Sequence, residues 1–293
     1  MFCSLCPRRC NINREQTVGF CRSSDTAVIT RAAPHFWEEP PISGTKGSGT
    51  VFFSGCNLGC VFCQNAAISR DGTNGQAVTP TQLRGIFQQL KEQGVHNINL
   101  VTPTHFAHVI REALAQPMGI PVVYNCGGYE SVETLRGLEG KIQIYLPDMK
   151  YLDETIAAQY SAAPDYPEIA KAAILEMFRQ VGPCRFDENG MLQQGLLIRH
   201  LILPGHTKNT LAVINWVANT FPKGEVLFSL MSQYTPTPQV AEHKNLRRPI
   251  TLREYEKCRD AMFAAGIEDG FVQDLDAAKE GYVPDFDGTG VNP

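Results

Sequence analysis

From residue 49 onward, the chain alternates short apolar segments of strand type with longer amphipathic segments of helix type. The apolar segments are compact, as expected of strands that are buried on both faces of a parallel sheet. Because consecutive parallel strands need a crossover, the pattern predicts an α/β fold of right-handed strand–helix units, either an open or closed barrel or a flat doubly wound sheet. Six strands are predicted: Gly49–Gly55, Asn97–Thr102, Pro121–Asn125, Lys141–Pro147, Leu196–Leu203 and Val226–Met231.

The predicted helices lie between these strands, and two of them begin with a capping box. Thr79 pairs with Gln82 in the first box, and Thr251 pairs with Glu254 in the second. Four more helices are predicted over Phe106–Gln116, Ser131–Leu138, Ile169–Gln180 and Asn209–Phe221. Two segments rich in turn residues, Asp71–Gln76 and the tail from Gly281, are predicted to be irregular.

The cysteines are concentrated near the N-terminus, with seven of the ten in the first 63 residues. In a chain of 293 residues without a readable signal peptide, this number indicates metal or redox chemistry rather than disulfides. The net charge of −4 argues against a broad surface for nucleic acid or anionic membranes, and no membrane span is predicted. We therefore expect a cytoplasmic protein with no nucleic-acid or membrane partner.

Three cysteines follow the first predicted strand of the alternating region in the order Cys-x3-Cys-x2-Cys. Thiolates from Cys56, Cys60 and Cys63 can bind three irons of a [4Fe-4S] cubane and leave the fourth iron without a protein ligand. A small chelating molecule can bind that open iron and receive an electron from the cluster. Structural metal sites normally close with a fourth protein ligand, so this spacing favours a catalytic cluster.

With Phe62 at the aromatic position, the motif resembles that of the radical S-adenosylmethionine (SAM) superfamily. The resemblance implies a partial (β/α)6 barrel in which SAM binds the open iron and is cleaved to methionine and a 5′-deoxyadenosyl radical. It also implies that Phe62 and Asn65, both in the cysteine loop, lie at the cofactor site. The segments 52–65, 145–151 and 197–205 resemble the branch related to pyruvate formate-lyase activating enzyme that carries an N-terminal cysteine cluster.

Further SAM-binding residues are implied by the same resemblance. Activating enzymes contact SAM through an Asp-x-Lys after the fourth strand and an Arg on the fifth, which correspond here to Asp148, Lys150 and Arg199. A zwitterionic sulfonium compound needs both carboxylate and cationic partners, which fits these residue types. Arg199 lies inside an apolar strand, where a cation without a partner is costly to bury.

The chain departs from the superfamily pattern at two strand ends. The Gly-Gly-Glu that often follows the second strand is replaced by residues 102–105, so we expect Thr102 or Thr104 to contact the SAM amino group. After the third strand, Gly127 and Gly128 permit close approach of the backbone to a ligand or form a plain turn. After the sixth strand, Gln233 and its neighbour Tyr234 are expected to face the ligands at the barrel mouth, unless both are structural.

The first 48 residues differ in composition from the rest and are expected to be a cysteine-rich, metal-ordered extension of a barrel domain over 49–293. Four thiols within nineteen residues can close a zinc site or hold an auxiliary iron–sulfur cluster, and we favour zinc. We call them the N-terminal cysteine group: Cys3, Cys6, Cys10 and Cys21.

Several other side chains carry weaker signals. Glu38 and Glu39 could line the approach to the cluster, or simply be solvated. Because alternate residues of a strand face opposite sides, His200 should point toward the helices if Arg199 points inward. His105, at the start of a helix, is expected to cap it or to lie on the surface.

Taken together, these features predict a SAM-cleaving enzyme that resembles an activase for glycyl-radical proteins. SAM, an electron donor such as flavodoxin or ferredoxin, and a glycyl-radical protein substrate are the expected partners. Radical modification of a small molecule, peptide or nucleobase is an alternative within the same chemistry. An iron–sulfur electron-transfer protein without SAM chemistry is the alternative from another class.

Overall fold

The alternation of strands and helices predicted from the sequence is present in the computed structural model, which describes residues 2–70, 75–275 and 283–291. The predicted loop Asp71–Gln76 and the tail from Gly281 lie partly outside these described residues. The strands are β1 (Ala27–His35), β2 (Ser48–Phe53), β3 (Gln76–Val78), β4 (Ile98–Val101), β5 (Val122–Cys126), β6 (Ile144–Pro147), β7 (Arg185–Phe186), β8 (Leu192–Leu201), β9 (Leu227–Met231) and β10 (Gly270–Val272). The helices are α1 (Pro40–Ser43), α2 (Ala66–Ser69), α3 (Pro80–Glu92), α4 (Ala107–Ala113), α5 (Val132–Arg136), α6 (Glu154–Ser161), α7 (Tyr166–Val181), α8 (Thr207–Thr220) and α9 (Leu252–Ala264), with short 3-10 turns at Thr104–Phe106, Pro238–Val240 and Lys244–Arg247.

The six predicted strands are β2, β4, β5, β6, β8 and β9, which are neighbours in this order and pair in parallel. β10 extends the parallel array beyond β9, and the short β7 pairs with β8. Among the described residues the two edge strands of the main path, β10 and β3, do not pair with each other. The fold is therefore an open, partial α/β barrel, as the sequence predicted.

One edge of the sheet was not predicted from the sequence. β1 pairs antiparallel with β2 from Ile29 opposite Phe53 to His35 opposite Ser48, and it also pairs with β3. Its sequence contains Arg31 and Pro34, which obscure the apolar pattern of a strand. The proposed division of the chain after residue 48 is thus not a break in the sheet, because β1 on one side pairs with β2 on the other.

The helices pack their apolar faces on the sheet. Both predicted capping boxes form, with Thr79 and Gln82 at α3 and with Thr251 and Glu254 at α9. The short α6 was not predicted, and its last residue, Ser161, contacts Cys60 of the cysteine motif. Within the described residues, no helix combines the length and apolar character that crossing a bilayer requires.

Candidate active site

The three motif cysteines lie in the loop that connects β2 to α2, which we call the cluster loop (residues 54–65). The loop turns sharply at Gly55, whose φ is +85°. A Cβ atom at Gly55 would lie 2.3 Å from Ser23 Oγ and 2.6 Å from the Cys21 carbonyl oxygen. Glycine is therefore required there both by the left-handed backbone and by the close approach of the N-terminal segment.

Each cysteine sulfur of the cluster loop accepts a hydrogen bond from a neighbouring group. Cys56 Sγ accepts from the Leu58 amide at 3.3 Å, Cys60 Sγ from Ser161 Oγ at 2.9 Å, and Cys63 Sγ from Ser69 Oγ at 3.3 Å. Such donors stabilise thiolates and orient them, which is how outer contacts tune a metal centre.

The thiols of the cluster loop lie close enough to affect one another. Burial, together with the charges of Cys60 and Cys63, raises the pKa of Cys56 to about 12. Burial also raises the pKa of Cys63, although the bond from Ser69 and the charge of Lys150 oppose that rise. Three converging thiolates that are buried or half-buried are costly without cations beside them, so this donor set fits a bound iron–sulfur cluster.

A cavity of about 580 Å³ unites these cysteines with the carboxyl ends of several strands. In open α/β sheets and barrels, ligands bind at this edge of the strands. We call it the central cavity. Its lining includes Cys56, Cys60, Phe62, Cys63, Asn65, Thr102, Cys126, Gly127, Asp148, Lys150, Arg199 and Gln233, as well as His35, Glu38 and Glu39.

A network of buried charges crosses the central cavity. Lys150 Nζ lies 2.6 Å from Asp148 Oδ2, and Arg199 Nε lies 3.1 Å from Asp148 Oδ1. Burial alone would raise the pKa of Asp148, yet Lys150 and Arg199 hold it below its ordinary value. Burial opposes the charge of Lys150, but Asp148 more than compensates and raises the Lys150 pKa. The three side chains predicted for SAM binding therefore form one ionised group.

Glu38 completes this network, although its position in the sequence is only a weak indication of such a role. Its Oε2 atom lies 2.9 Å from Arg199 Nη1, and its Oε1 atom accepts from Asn99 Nδ2 and Asn125 Nδ2 at 3.2 Å each. Asn125 also accepts from Arg199 Nη2 at 2.5 Å. The adjacent Glu39 presents a buried Oε2 with no hydrogen-bond partner among the described residues.

Comparison with known proteins decides the family. Residues 50–211, which run from β2 through β8 to the start of α8 and include five of the six parallel strands, match the radical SAM superfamily. The chain belongs to the radical SAM superfamily. Membership implies a [4Fe-4S] cluster and SAM, in agreement with the donor set of the cluster loop.

One relative and two solved structures are similar to the chain, and the likeness to the structures is one of fold. An uncharacterized protein of Methanocaldococcus jannaschii is 29% identical over 266 residues, which cover 87% of this chain and 72% of that protein. The structure of Streptococcus suis SuiB bound to SAM has a TM-score of 0.50 at 14% identity and covers 76% of this chain. SuiB bound to its precursor peptide SuiA has a TM-score of 0.50 at 12% identity, also over 76% of this chain. The chain spans about half the length of SuiB, 49% and 48% in the two structures.

Two pairs of residues were also predicted from the sequence for the SAM site, and in each pair one member lines the central cavity and the other does not. Thr102, with a left-handed φ of +59°, lines the central cavity. Thr104 is buried away from the lining and donates to Glu130 Oε1 at 2.6 Å. Gly127 lines the cavity, whereas Gly128 packs against the Asp148 backbone.

Two further expectations for the barrel mouth and its helices were wrong. Tyr234 does not face the ligand side, because it is buried and its hydroxyl donates to the Leu246 carbonyl at 2.6 Å. His105 is not on the surface, because it is buried and its Nε2 bonds the Ser54 carbonyl at 2.7 Å. His200 does point toward the helices, where its Nε2 lies 3.0 Å from Thr210 Oγ1 of α8.

The N-terminal cysteine group lies beside the cluster loop, and its members are free thiols. Burial raises the pKa of Cys6 to about 12, with additional contributions from the charges of Cys21 and Cys3. Cys10 Sγ accepts from the Phe20 amide at 3.4 Å. Across the described ranges, no three His, Cys, Asp or Glu side chains are arranged as ligands of one ion. A cubane differs, because each of its thiolates binds a separate iron. The N-terminal metal site thus stays a prediction.

Proposed function

We propose that this chain reductively cleaves SAM at a [4Fe-4S] cluster bound by Cys56, Cys60 and Cys63 and uses the 5′-deoxyadenosyl radical to abstract hydrogen from a substrate. The observation that carries this proposal is one cavity lined both by these cysteines and by the Asp148, Lys150 and Arg199 network. When bound, the cluster supplies the electron that breaks the sulfonium carbon–sulfur bond of SAM.

The residues that line the central cavity would bind SAM and orient it beside the cluster. Asp148, Lys150 and Arg199 offer fixed charges of both signs, as the ammonium, carboxylate and sulfonium groups of SAM require. Their mutual ion pairs keep them ionised and restrict their side chains, so little reorganisation is needed when SAM binds. The charge of Lys150 also acts on Cys63 and opposes the rise that burial causes in its pKa, which favours a thiolate ligand. Thr102, Gly127, Gln233, Phe62 and Asn65 would shape the rest of the SAM site.

For the substrate of this reaction we propose a glycyl-radical protein, which the chain would activate in the cytoplasm with flavodoxin or ferredoxin as the electron donor. Its support is the resemblance of the cluster loop, residues 145–151 and residues 197–205 to the activating-enzyme branch. Residues 1–48 would then be a metal-binding extension, with zinc or an auxiliary cluster on the N-terminal cysteine group, next to the barrel of 49–293.

The test is anaerobic reconstitution with iron and sulfide, reduction with dithionite, and quantification of 5′-deoxyadenosine after SAM is added. Cys60→Ala should abolish the product, because it removes one of three cluster ligands. Cys184→Ser, which changes a thiol outside the central cavity, should leave it unchanged. A spectroscopically intact, reducible cluster that releases no 5′-deoxyadenosine would overturn the proposal and favour an electron-transfer protein.

A further inference from the structure

The segment that carries the N-terminal cysteine group contacts the cluster loop directly, and Arg8 of this segment binds both that loop and the end of α6. Arg8 donates from Nε to the Asn57 carbonyl at 2.8 Å, from Nη1 to the Ala162 carbonyl at 2.5 Å and from Nη2 to the Ser161 carbonyl at 2.9 Å. Every nitrogen of the guanidinium therefore binds a backbone oxygen. Asn57 belongs to the cluster loop, and the other two carbonyls end α6.

Two aromatic rings enclose this guanidinium. Its Cζ atom lies 3.8 Å from the centroid of the Phe20 ring and 5.2 Å from that of Tyr129. A planar guanidinium satisfies three carbonyls and two rings at once, which the ammonium group of lysine cannot do. Hydrogen bonds from a charged donor are about twice as strong as neutral ones, so Arg8 is a firm connection between segments that are distant in sequence.

The connection reaches a cluster ligand on one side. Ser161, whose carbonyl accepts from Arg8, also donates its hydroxyl to Cys60 Sγ at 2.9 Å. Tyr151 lies 2.7 Å from the same Ser161 hydroxyl, and Ser161 is buried. The residue that follows, Ala162, has a left-handed φ of +48°, so the chain turns sharply where Arg8 binds it.

On its other side the connection reaches the N-terminal cysteine group. The Arg8 backbone amide bonds the sulfur of Cys6 and opposes the rise of its pKa. The Arg9 amide closes a tight turn onto the Cys6 carbonyl at 3.0 Å. A change in the chemical state of Cys6, such as metal binding, therefore acts on the backbone from which the Arg8 side chain extends.

We propose that Arg8 is a positioning residue. Through Asn57 and Ser161 it fixes the part of the cluster loop that carries Cys60, and it couples this part to the chemical state of Cys6, such as whether Cys6 binds a metal. This inference rests on the assignment of the cluster in the proposed function, but it concerns the stability and electronic environment of the cluster rather than its chemistry with SAM. Groups that hydrogen-bond a metal ligand, as Ser161 does with Cys60, typically change metal affinity by about 10–100-fold when they are altered, and Arg8 holds Ser161 in place.

The experiment uses the full chain, reconstituted anaerobically, and follows cluster loss to an excess of an iron chelator together with the electron paramagnetic resonance spectrum of the reduced cluster. Arg8→Gln should accelerate cluster loss about 10-fold or more and shift or broaden the spectrum. Arg8→Lys, which keeps the charge, should retain part of the wild-type cluster stability. The matched control is Arg9→Gln, because Arg9 is adjacent, equally charged and exposed. It should leave both measurements unchanged.

Unchanged cluster loss and an unchanged spectrum in folded Arg8→Gln would overturn the positioning role. Should that variant fold poorly by circular dichroism, Ser161→Ala provides the second measurement, because it removes the bond to Cys60 and leaves Arg8 in place. Neither measurement needs SAM. A wild-type cluster that forms but releases no 5′-deoxyadenosine would contradict the proposed function alone.

Coupling to Cys6 is tested by a double-mutant cycle of Cys6→Ser and Arg8→Gln. Cys6→Ser should accelerate cluster loss in the wild-type background and add nothing in the Arg8→Gln background. Equal acceleration in both backgrounds would mean that Cys6 acts on the cluster by another route, and would overturn the coupling.

Discussion

Glu38 and Arg199 are separated by 161 residues in sequence and form a 2.9 Å ion pair in the wall of the central cavity. The side chains are only 10% and 15% exposed, so neither charge is well solvated. Arg199 also binds Asp148, and the guanidinium therefore lies between a carboxylate from the N-terminal region and one from the end of β6. The N-terminal region thus contributes a charged side chain to the centre of the barrel.

Loss of the Glu38 carboxylate should destabilise the fold. Glu38→Gln leaves Arg199 with Asp148 as its remaining carboxylate partner, and removing one member of a buried ion pair costs about 3–5 kcal/mol when the other is left unpaired. Because Asp148 remains, we expect a smaller loss of about 1–3 kcal/mol in the free energy of unfolding, measured by urea denaturation of the metal-free chain. Asp260→Asn, in an exposed pair with Arg259, should change it by less than about 0.5 kcal/mol. Equal stability of Glu38→Gln and wild type would show that the pair contributes nothing.

Features determined by local sequence could be predicted, and those determined by tertiary contacts could not. The capping boxes at Thr79 and Thr251 depend on residues three positions apart, so their pattern is visible in the sequence. The partnership of Glu38 with Arg199 has no such pattern. Thr102 and Thr104 are two residues apart after the same strand, but the left-handed backbone at Thr102 and the 3-10 turn at Thr104 direct them to different surroundings.

Asp148 should be the carboxylate that SAM binding depends on most. It balances both Lys150 and Arg199, so Asp148→Asn leaves two buried cations with a deficit of negative charge. Truncating one partner of a buried charge pair costs about 2–5 kcal/mol in binding, which corresponds to a loss of affinity of about 30-fold or more. Equilibrium dialysis of radiolabelled SAM against the reconstituted chain measures this loss. Asp287→Asn, in the exposed pair with Arg31, should bind SAM as wild type does. Wild-type affinity in Asp148→Asn would remove Asp148 from the SAM site.

The pH dependence of stability should reveal the buried carboxyl of Glu130. Burial raises its pKa from 4.5 to about 7, although bonds from Thr104, Tyr124 and Cys126 oppose the rise. Between these two values the folded chain keeps a proton that the unfolded chain has lost, so stability falls as pH rises from about 4.5 to about 7. Above pH 7 the buried Glu130 carboxylate therefore lowers the free energy of unfolding by up to about 3 kcal/mol, since one pKa unit corresponds to about 1.4 kcal/mol.

Glu130→Gln tests this assignment because glutamine does not titrate. Urea denaturation at about pH 5 and at about pH 8 should give a smaller difference in unfolding free energy for the variant than for wild type, by up to about 3 kcal/mol. Glutamine has nearly the same shape: its Oε1 can accept from Thr104, and its Nε2 takes the place of Oε2 and can donate to the Tyr124 hydroxyl oxygen. An identical pH difference in the two proteins would mean that Glu130 is ionised throughout the range.

Gly128 and Gly140 provide a matched pair that separates backbone strain from steric exclusion. Their φ angles are +77° and +78°, so an alanine at either position meets the same left-handed penalty of about 1 kcal/mol. A Cβ atom at Gly128 would lie 2.2 Å from the Asp148 carbonyl oxygen, whereas one at Gly140 meets nothing within 4 Å. Gly128→Ala should therefore lower the free energy of unfolding by about 1–3 kcal/mol more than Gly140→Ala does, and it should also weaken SAM binding because the Asp148 backbone must move. Denaturation and SAM dialysis on both variants measure these effects. If the two substitutions lower the free energy of unfolding equally and neither weakens SAM binding, the strand end at Asp148 tolerates displacement. Glycine would then be needed at position 128 only for the left-handed turn.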